Sequence, residues 1–324
     1  MLTKHPRVRG TLDHPALFYR GRDALVASLI PFIKAGLAEG EPVLAALPPA
    51  NLAALRLAMG PEEIPGLRFA DMSVAGRNPG RILPLVLDAF VQEAGDRRAR
   101  IIGEPIWADR TDLEYPACFE HEMLINLALT GQDVTVLCPY DLDSLQPDRI
   151  ADAELTHPTL LDARGVVRRS ARYPHDDEAS LLFDQQLPKP PAVAISLAFD
   201  GDGLREVRRL ITDLGIAADN LAMLQIAVSE LSINAIEHGG GSGVLRVWRE
   251  ESYVVGEVES PRLLHNVLAG RLLADPHSLS GRGLLLLNGL CDLVRVQTGS
   301  DGTLIRFWLP VAGPDSVEPG PDLD

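Results

Sequence analysis

Residues 227–241, AVSELSINAIEHGGG, set an acid, an amide and an imidazole on one helical stripe that runs directly into three glycines. Glu230, Asn234 and His238 are spaced four apart, so their side chains stack along one line of the helix. Leu221, Leu224, Val228 and Leu231 give the same segment an apolar face that must be covered by a sheet. A polar stripe ending in a glycine turn makes a poor core and a workable phosphate site. Further on, Gly281-Arg282-Gly283-Leu284 opens a second expected helix, where free backbone amides can meet an anion. Plainer readings stand beside these. Glu230 and Asn234 also suit a solvated stripe, and His238 a helix-terminal cation favoured by the dipole. Residues 284–287 suit a buried helix start, and Arg262 an exposed loop.

The rest of the chain divides around this segment. A length of 324 residues suggests about two domains. Residues 10–155 alternate helical and strand patterns, with strands expected at 43–47, 67–72, 99–102 and 134–138. Helices are expected at 22–40, with Pro31 a kink, at 49–59, closed by Gly60, and at 80–93 and 112–129. That alternation implies an α/β domain, a parallel sheet with covering helices. Residues 156–191 read as a linker, punctuated by PHDD at 174–177 and PKPP at 188–191. Residues 192–312 then read as an α+β domain. Its strands are expected at 193–199, 244–248, 253–258, 293–297 and 303–309, with helices at 204–214 and 219–238 on one face. Residues 313–324 read as a disordered tail.

Charge and cysteine usage narrow the function. A formal net charge of −15 argues against nucleic acid as a direct partner. Cys118, Cys138 and Cys291 are too few and too widely spaced to mark a disulfide framework or a zinc motif. No window approaches about 18 uninterrupted apolar residues, and the first residues lack a signal-peptide core. A cytoplasmic protein is expected.

The polar helix and the later glycine turn together resemble the ATP-binding fold shared by histidine kinases, gyrase and bacterial anti-sigma-factor serine kinases. The likeness is greatest to the anti-sigma regulatory group, whose tail typically reads GRGL, an apolar run, then LCD. Here residues 281–309 read GRGLLLLNGLCDLVRVQTGSDGTLIRFWL, and the likeness covers about the last third of the chain. It implies ATP and Mg²⁺ as cofactors, Glu230 as general base and Asn234 as the metal ligand. Nucleotide contacts are implied for Asn234, His238, Ser260, Gly281, Arg282, Gly283, Leu284 and Thr303. One element departs from the pattern. The family has a strand ending in Asp-x-Gly, whose aspartate holds the adenine amino group. Counting back from LAGR at 268–271, Ser260 stands at the aspartate position and Arg262 at the glycine. A serine offers no carboxylate, and losing such a partner costs about 1–3 kcal/mol. Pro261 and Arg262 also stiffen and fill the turn. Weak ATP binding is the expectation.

GEPIW at 103–107, EHE at 120–122 followed by Asn126, LCPYD at 137–141 and HPALFY at 14–19 resemble the MEDS sensory domain, across most of residues 10–150. The likeness implies an α/β fold and an unidentified small-molecule signal. Such a domain often precedes an anti-sigma kinase-like module in actinobacteria. There is no P-loop, since none of Lys4, Lys34 and Lys189 has that context. Cys118, His121 and Glu122 read either as a metal set or as the packed face of a helix with its rim. Residues 138–141 are either a strand-end ligand position or a turn where Pro139 ends the ladder.

Two functions follow from the resemblance. One is a serine/threonine kinase that also sequesters a sigma factor and phosphorylates an anti-anti-sigma protein. The other is a non-catalytic partner-switching module with a degenerate ATP site. A sensor histidine kinase is disfavoured, because His157 and His175 sit beside prolines and lack heptads. A homodimer is compatible with either.

Overall fold

The structure, a computed structural model, describes residues 10–174, 186–214, 216–250, 252–273 and 282–311. Gly281, residues 175–177 and the expected tail 313–324 lie outside the described residues. By contacts the chain forms two compact units, Met1–Leu182 with Asn266–Leu285, and Phe183–His265 with Leu286–Asp324.

The first unit is built on strands β1 (Leu12–Asp13), β2 (Pro15–Tyr19), β3 (Val43–Leu47), β4 (Leu67–Asp71), β5 (Ala99–Gly103), β6 (Val134–Asp141), β7 (Thr159–Asp162) and β8 (Val167–Arg169). They lie in the order β4-β3-β5-β6-β2-β7-β8, with β1 also on β6, and every pairing but β7–β8 is parallel. Alternate residues feed two cores. Leu17, Val43, Ala45, Leu47, Ile102 and Leu137 face α1 (Arg22–Ala38) and α2 (Pro49–Met59). Ala16, Leu44, Ala46, Ile101, Val136 and Cys138 face the opposite layer. That layer holds α3 (Met72–Ala75), α4 (Pro79–Ile82), a π-helical turn Leu83–Asp88, α5 (Ala89–Ala94), α6 (Tyr115–Ala128) and α7 (Pro147–Thr156). Burial on both faces is why the strands read as unbroken apolar runs. Two expectations change. β7 and β8 lie inside the stretch read as linker. Pro139 does not end its strand, which runs on to Asp141 beside β2. The Asp133 carbonyl accepts from Ala99 on the β5 side, and the Leu142 N–H donates to Tyr19 on the β2 side. Odd positions of β6 therefore face β5, whose pairing with β6 ends at Ile102 opposite Leu137, so Pro139 lies past the last paired position on that side. Within the same unit, Arg271 is buried against Glu120, and the Leu273 N–H donates to Asp88 at 3.2 Å.

The second unit is an antiparallel sheet, β12-β13-β11-β10-β9, made of β9 (Ile195–Asp200), β10 (Ser242–Arg249), β11 (Tyr253–Ser260), β12 (Leu293–Gly299) and β13 (Gly302–Pro310). Helices α8 (Leu204–Thr212) and α9 (Ala218–Glu237) complete the α+β layer expected from the sequence, and α10 (Gly283–Leu290) spans the division between the two units.

Candidate functional site

Helix α9 positions the polar stripe. Its buried side, Leu224, Ala227, Val228, Leu231 and Ala235, packs on β10, β11 and β13. That leaves Glu230 and Asn234 half-buried at the edge of the apolar face and His238 exposed. The helix ends with the His238 and Gly239 N–H groups both donating to the Asn234 carbonyl at 2.9 Å. Gly240 and Gly241 then take φ of 109° and 91°, which side-chain-bearing residues rarely adopt. A Cβ on Gly239 would lie 2.7 Å from the Ser260 Cβ, so the glycine run lets the helix end press against the end of β11. The Arg262 N–H closes this contact on the Gly239 carbonyl at 2.9 Å.

Ser260 and Thr303 are register partners on β11 and β13. The Thr303 hydroxyl donates to the Arg262 carbonyl and accepts from the Leu264 N–H, both at 2.7 Å. Thr303 thus anchors the loop after β11, and its proton is already committed. The Ser260 hydroxyl points back to the Thr303 carbonyl at 3.5 Å. Ser260, Arg262 and Thr303 therefore meet at the C-terminal end of α9. The His238 ring lies beside Glu237, at 3.9 Å. Arg282 is exposed, and Arg282, Gly283 and Leu284 group with the first compact unit, whereas Glu230, Asn234, His238, Ser260 and Thr303 group with the second. Residues 284–287 are not a uniformly buried helix start. Leu287 alone of the four is buried, and Leu286 is 43 % exposed.

Residues 13–158 match the model of the MEthanogen/methylotroph, DcmR Sensory domain, MEDS. Residues 198–309 match that of the Histidine kinase-like ATPase domain. The chain joins a MEDS sensory domain to a histidine kinase-like ATPase domain. No curated protein matches it. Among solved structures it is similar to the RsbU and RsbW domains of Rv1364c from Mycobacterium tuberculosis, at 19 % identity and a TM-score of 0.30. That match covers 38 % of this chain and spans about a third (34 %) of the other.

In the MEDS domain the C-terminal ends of β2 and β5 hold a buried carboxyl, at the sheet edge where parallel strands present ligands. The Tyr19 hydroxyl donates to Glu104 at 2.8 Å, and the Asn51 amide donates to both Glu104 oxygens at 3.1 and 2.9 Å. Burial pushes the Glu104 carboxyl up to about 7. The Asn51 and Tyr19 hydrogen bonds oppose that shift, and the nearby Asp141 adds to it. Tyr19 and Glu104 fall within the quoted HPALFY and GEPIW motifs. Asn51, on the first turn of α2, carries no sequence signal of its own. A raised carboxyl pKa means the folded protein keeps a proton that the unfolded chain releases above about pH 4.5. The contribution of Glu104 to stability therefore declines as pH rises from about 4.5 through about 7, and levels off above that. Glu104→Gln should remove this decline, worth about 3 kcal/mol at about 1.4 kcal/mol per pKa unit. Urea unfolding of both proteins at pH 5 and pH 8 reads it. Equal changes with pH in the two would sink the assignment.

The same domain corrects the metal reading of Cys118, His121 and Glu122. Cys118 and His121 are buried in the packed layer, and neither is among the four residues, His14, Glu122, Cys138 and His157, whose ligand atoms converge among the described residues. Glu122 turns elsewhere, toward His14, Cys138 and His157.

Proposed function

We propose that the protein couples a small-molecule signal at the MEDS domain to an ATP-dependent, anti-sigma-type serine/threonine kinase and partner-switching module in the cytoplasm. The observation that carries this reading is the pairing of Glu230 and Asn234 one turn apart on the accessible edge of α9, above a glycine-closed helix end. Oxygen-bearing, half-exposed side chains suit a hard divalent cation and a phosphate tail. Mg-ATP, when bound, would supply the phosphoryl group. Asn234 would hold the cation, and Glu230 would accept the proton of the attacking hydroxyl on the partner protein. The edge at Glu104, Tyr19 and Asn51 is the proposed entry for the signal. The partners are proposed to be a sigma factor or an anti-anti-sigma protein rather than nucleic acid, in keeping with the acidic charge. Among the described residues no helix is long and apolar enough to cross a membrane.

The adenine end fits less well. Ser260 brings no carboxylate, and its hydroxyl is turned to the Thr303 carbonyl. That observation favours the second reading, a partner-binding module whose ATP site has decayed. Titration with fluorescent ATP, with and without Mg²⁺, separates the two. Ser260→Asp with Arg262→Gly should tighten ATP by roughly 5- to 150-fold, the equivalent of about 1–3 kcal/mol for a restored hydrogen bond. Both backbone bonds of residue 262 survive the substitution, so the loop keeps its anchor. Tight wild-type binding that the double variant leaves unchanged would show the adenine contact to lie elsewhere. Undetectable binding in every variant would favour the non-catalytic module.

A further inference from the structure

The geometry points to a buried divalent transition-metal site of the zinc type in the MEDS domain, formed by His14 Nε2, Glu122 Oε2, Cys138 Sγ and His157 Nε2. The inference is independent of the ATP site. The four residues come from four places in the fold: the break between β1 and β2, helix α6, strand β6 and the residue just after α7. All are buried, and their ligand atoms lie within 4.8 Å of one another. Glu122 Oε2 is 3.2 Å from His14 Nε2 and 3.3 Å from His157 Nε2, and Cys138 Sγ is 3.4 Å from His14 Nε2. Tetrahedral zinc with bonds of ~2.0–2.3 Å to nitrogen, oxygen and sulfur has edges of about 3.3–3.6 Å. Three of the six spacings match those edges, and the others lie within 4.8 Å.

The hydrogen bonds around the group decide what it can hold. Asn126 donates its amide N–H to the Thr156 carbonyl at 2.8 Å, which aims its oxygen at His14 Nδ1, 3.0 Å away. That nitrogen must then donate, so the Nε2 of a neutral His14 carries a lone pair. His157 Nδ1 faces the Ala153 carbonyl at 3.0 Å, which only accepts, and the Thr156 hydroxyl at 2.8 Å, whose own proton goes to the Asp152 carbonyl at 3.3 Å; Nδ1 therefore donates, and its Nε2 is set the same way. Two lone-pair nitrogens thus converge on a carboxylate oxygen. His157 Nε2 makes no hydrogen bond, and neither does Glu122 Oε1. Protonating both rings would place two imidazolium ions, with centroids 4.1 Å apart, around a single buried carboxylate. One dication satisfies all four groups at once. Carbonyl and amide acceptors on the outer histidine nitrogens are the support that metal-bound imidazoles ordinarily have. Two nitrogens, one sulfur and one oxygen in a tetrahedral arrangement select zinc over the harder cations.

The test uses the full-length protein, stripped with EDTA and titrated with Co²⁺. One equivalent should bind, giving intense visible ligand-field bands and a thiolate charge-transfer band, and Zn²⁺ should abolish both. Cys138→Ser should lose the charge-transfer band, while Cys118→Ser should leave the spectrum unchanged. Asn126→Ala keeps all four ligands and so guards against failure of a ligand variant to fold. It should weaken Co²⁺ binding by about 10- to 100-fold. No spectrum at one equivalent, a charge-transfer band that survives in folded Cys138→Ser, or unaltered affinity in folded Asn126→Ala would overturn the site.

Discussion

Glu257→Ala should lower the unfolding free energy of the ATPase domain by about 3–5 kcal/mol, the range for stripping one partner from a buried ion pair. Glu257 is fully buried. It accepts from Arg306 Nε and Nη2 at 2.8 and 2.5 Å, and from Arg246 Nη1 at 2.9 Å. Arg306 is 3 % exposed and also donates to the Pro188 carbonyl at 2.8 Å, so it cannot swing out to water without breaking that link. Trp248 and Trp308 cover its guanidinium at 5.0 and 5.9 Å. Removing the carboxylate leaves this buried cation without the acid that its Nε and Nη2 both engage. Urea unfolding followed by tryptophan emission measures the loss. Replacing Glu257, Arg306 and Arg246 together by Leu and Met should recover most of it, since the strain comes from the orphaned charge rather than the lost volume. A loss under about 1 kcal/mol for the single variant would mean that solvent already screens the pair.

Under the kinase reading, Glu230→Gln should lower phosphoryl transfer by about 10²- to 10⁴-fold while leaving ATP affinity nearly unchanged. The amide keeps the shape of the side chain and its place at the rim of α9 but cannot take the hydroxyl proton. Asn234→Ala should act differently, removing the Mg²⁺-dependent part of ATP binding. The Asn234 main-chain carbonyl, which accepts from the His238 and Gly239 N–H groups, is retained, so the helix end should persist. Single-turnover transfer to a partner protein, alongside ATP titrations with and without Mg²⁺, separates the two effects. Transfer at the wild-type rate by Glu230→Gln would remove Glu230 from the chemistry.

Much of this architecture follows from local pattern. The strand Val43–Leu47 and the helix Pro49–Met59 lie where apolar runs and Gly60 place them, because a doubly covered strand and a glycine stop are short-range signals. The stripe of Glu230, Asn234 and His238 is likewise a matter of helical period. The β7–β8 hairpin was not legible, since Thr159–Asp162 is strand only by pairing with β2, and its composition reads as linker. Pro139 stayed open between two readings for a related reason, because whether a proline breaks a ladder depends on which neighbour its missing N–H faces. The buried group in the MEDS domain shows the limit most clearly. His14 lies 108 residues from Glu122 and 124 from Cys138, so no sequence window holds a ligand motif. Cys118 and His121 carried the motif-like spacing, yet tertiary packing buries them apart from the group that Glu122 joins. Periodicity, caps and turn residues are fixed by neighbours along the chain and are written in the sequence. Which acids, imidazoles and thiols converge is fixed by the stacking of the parallel sheet, and only the folded chain decides it.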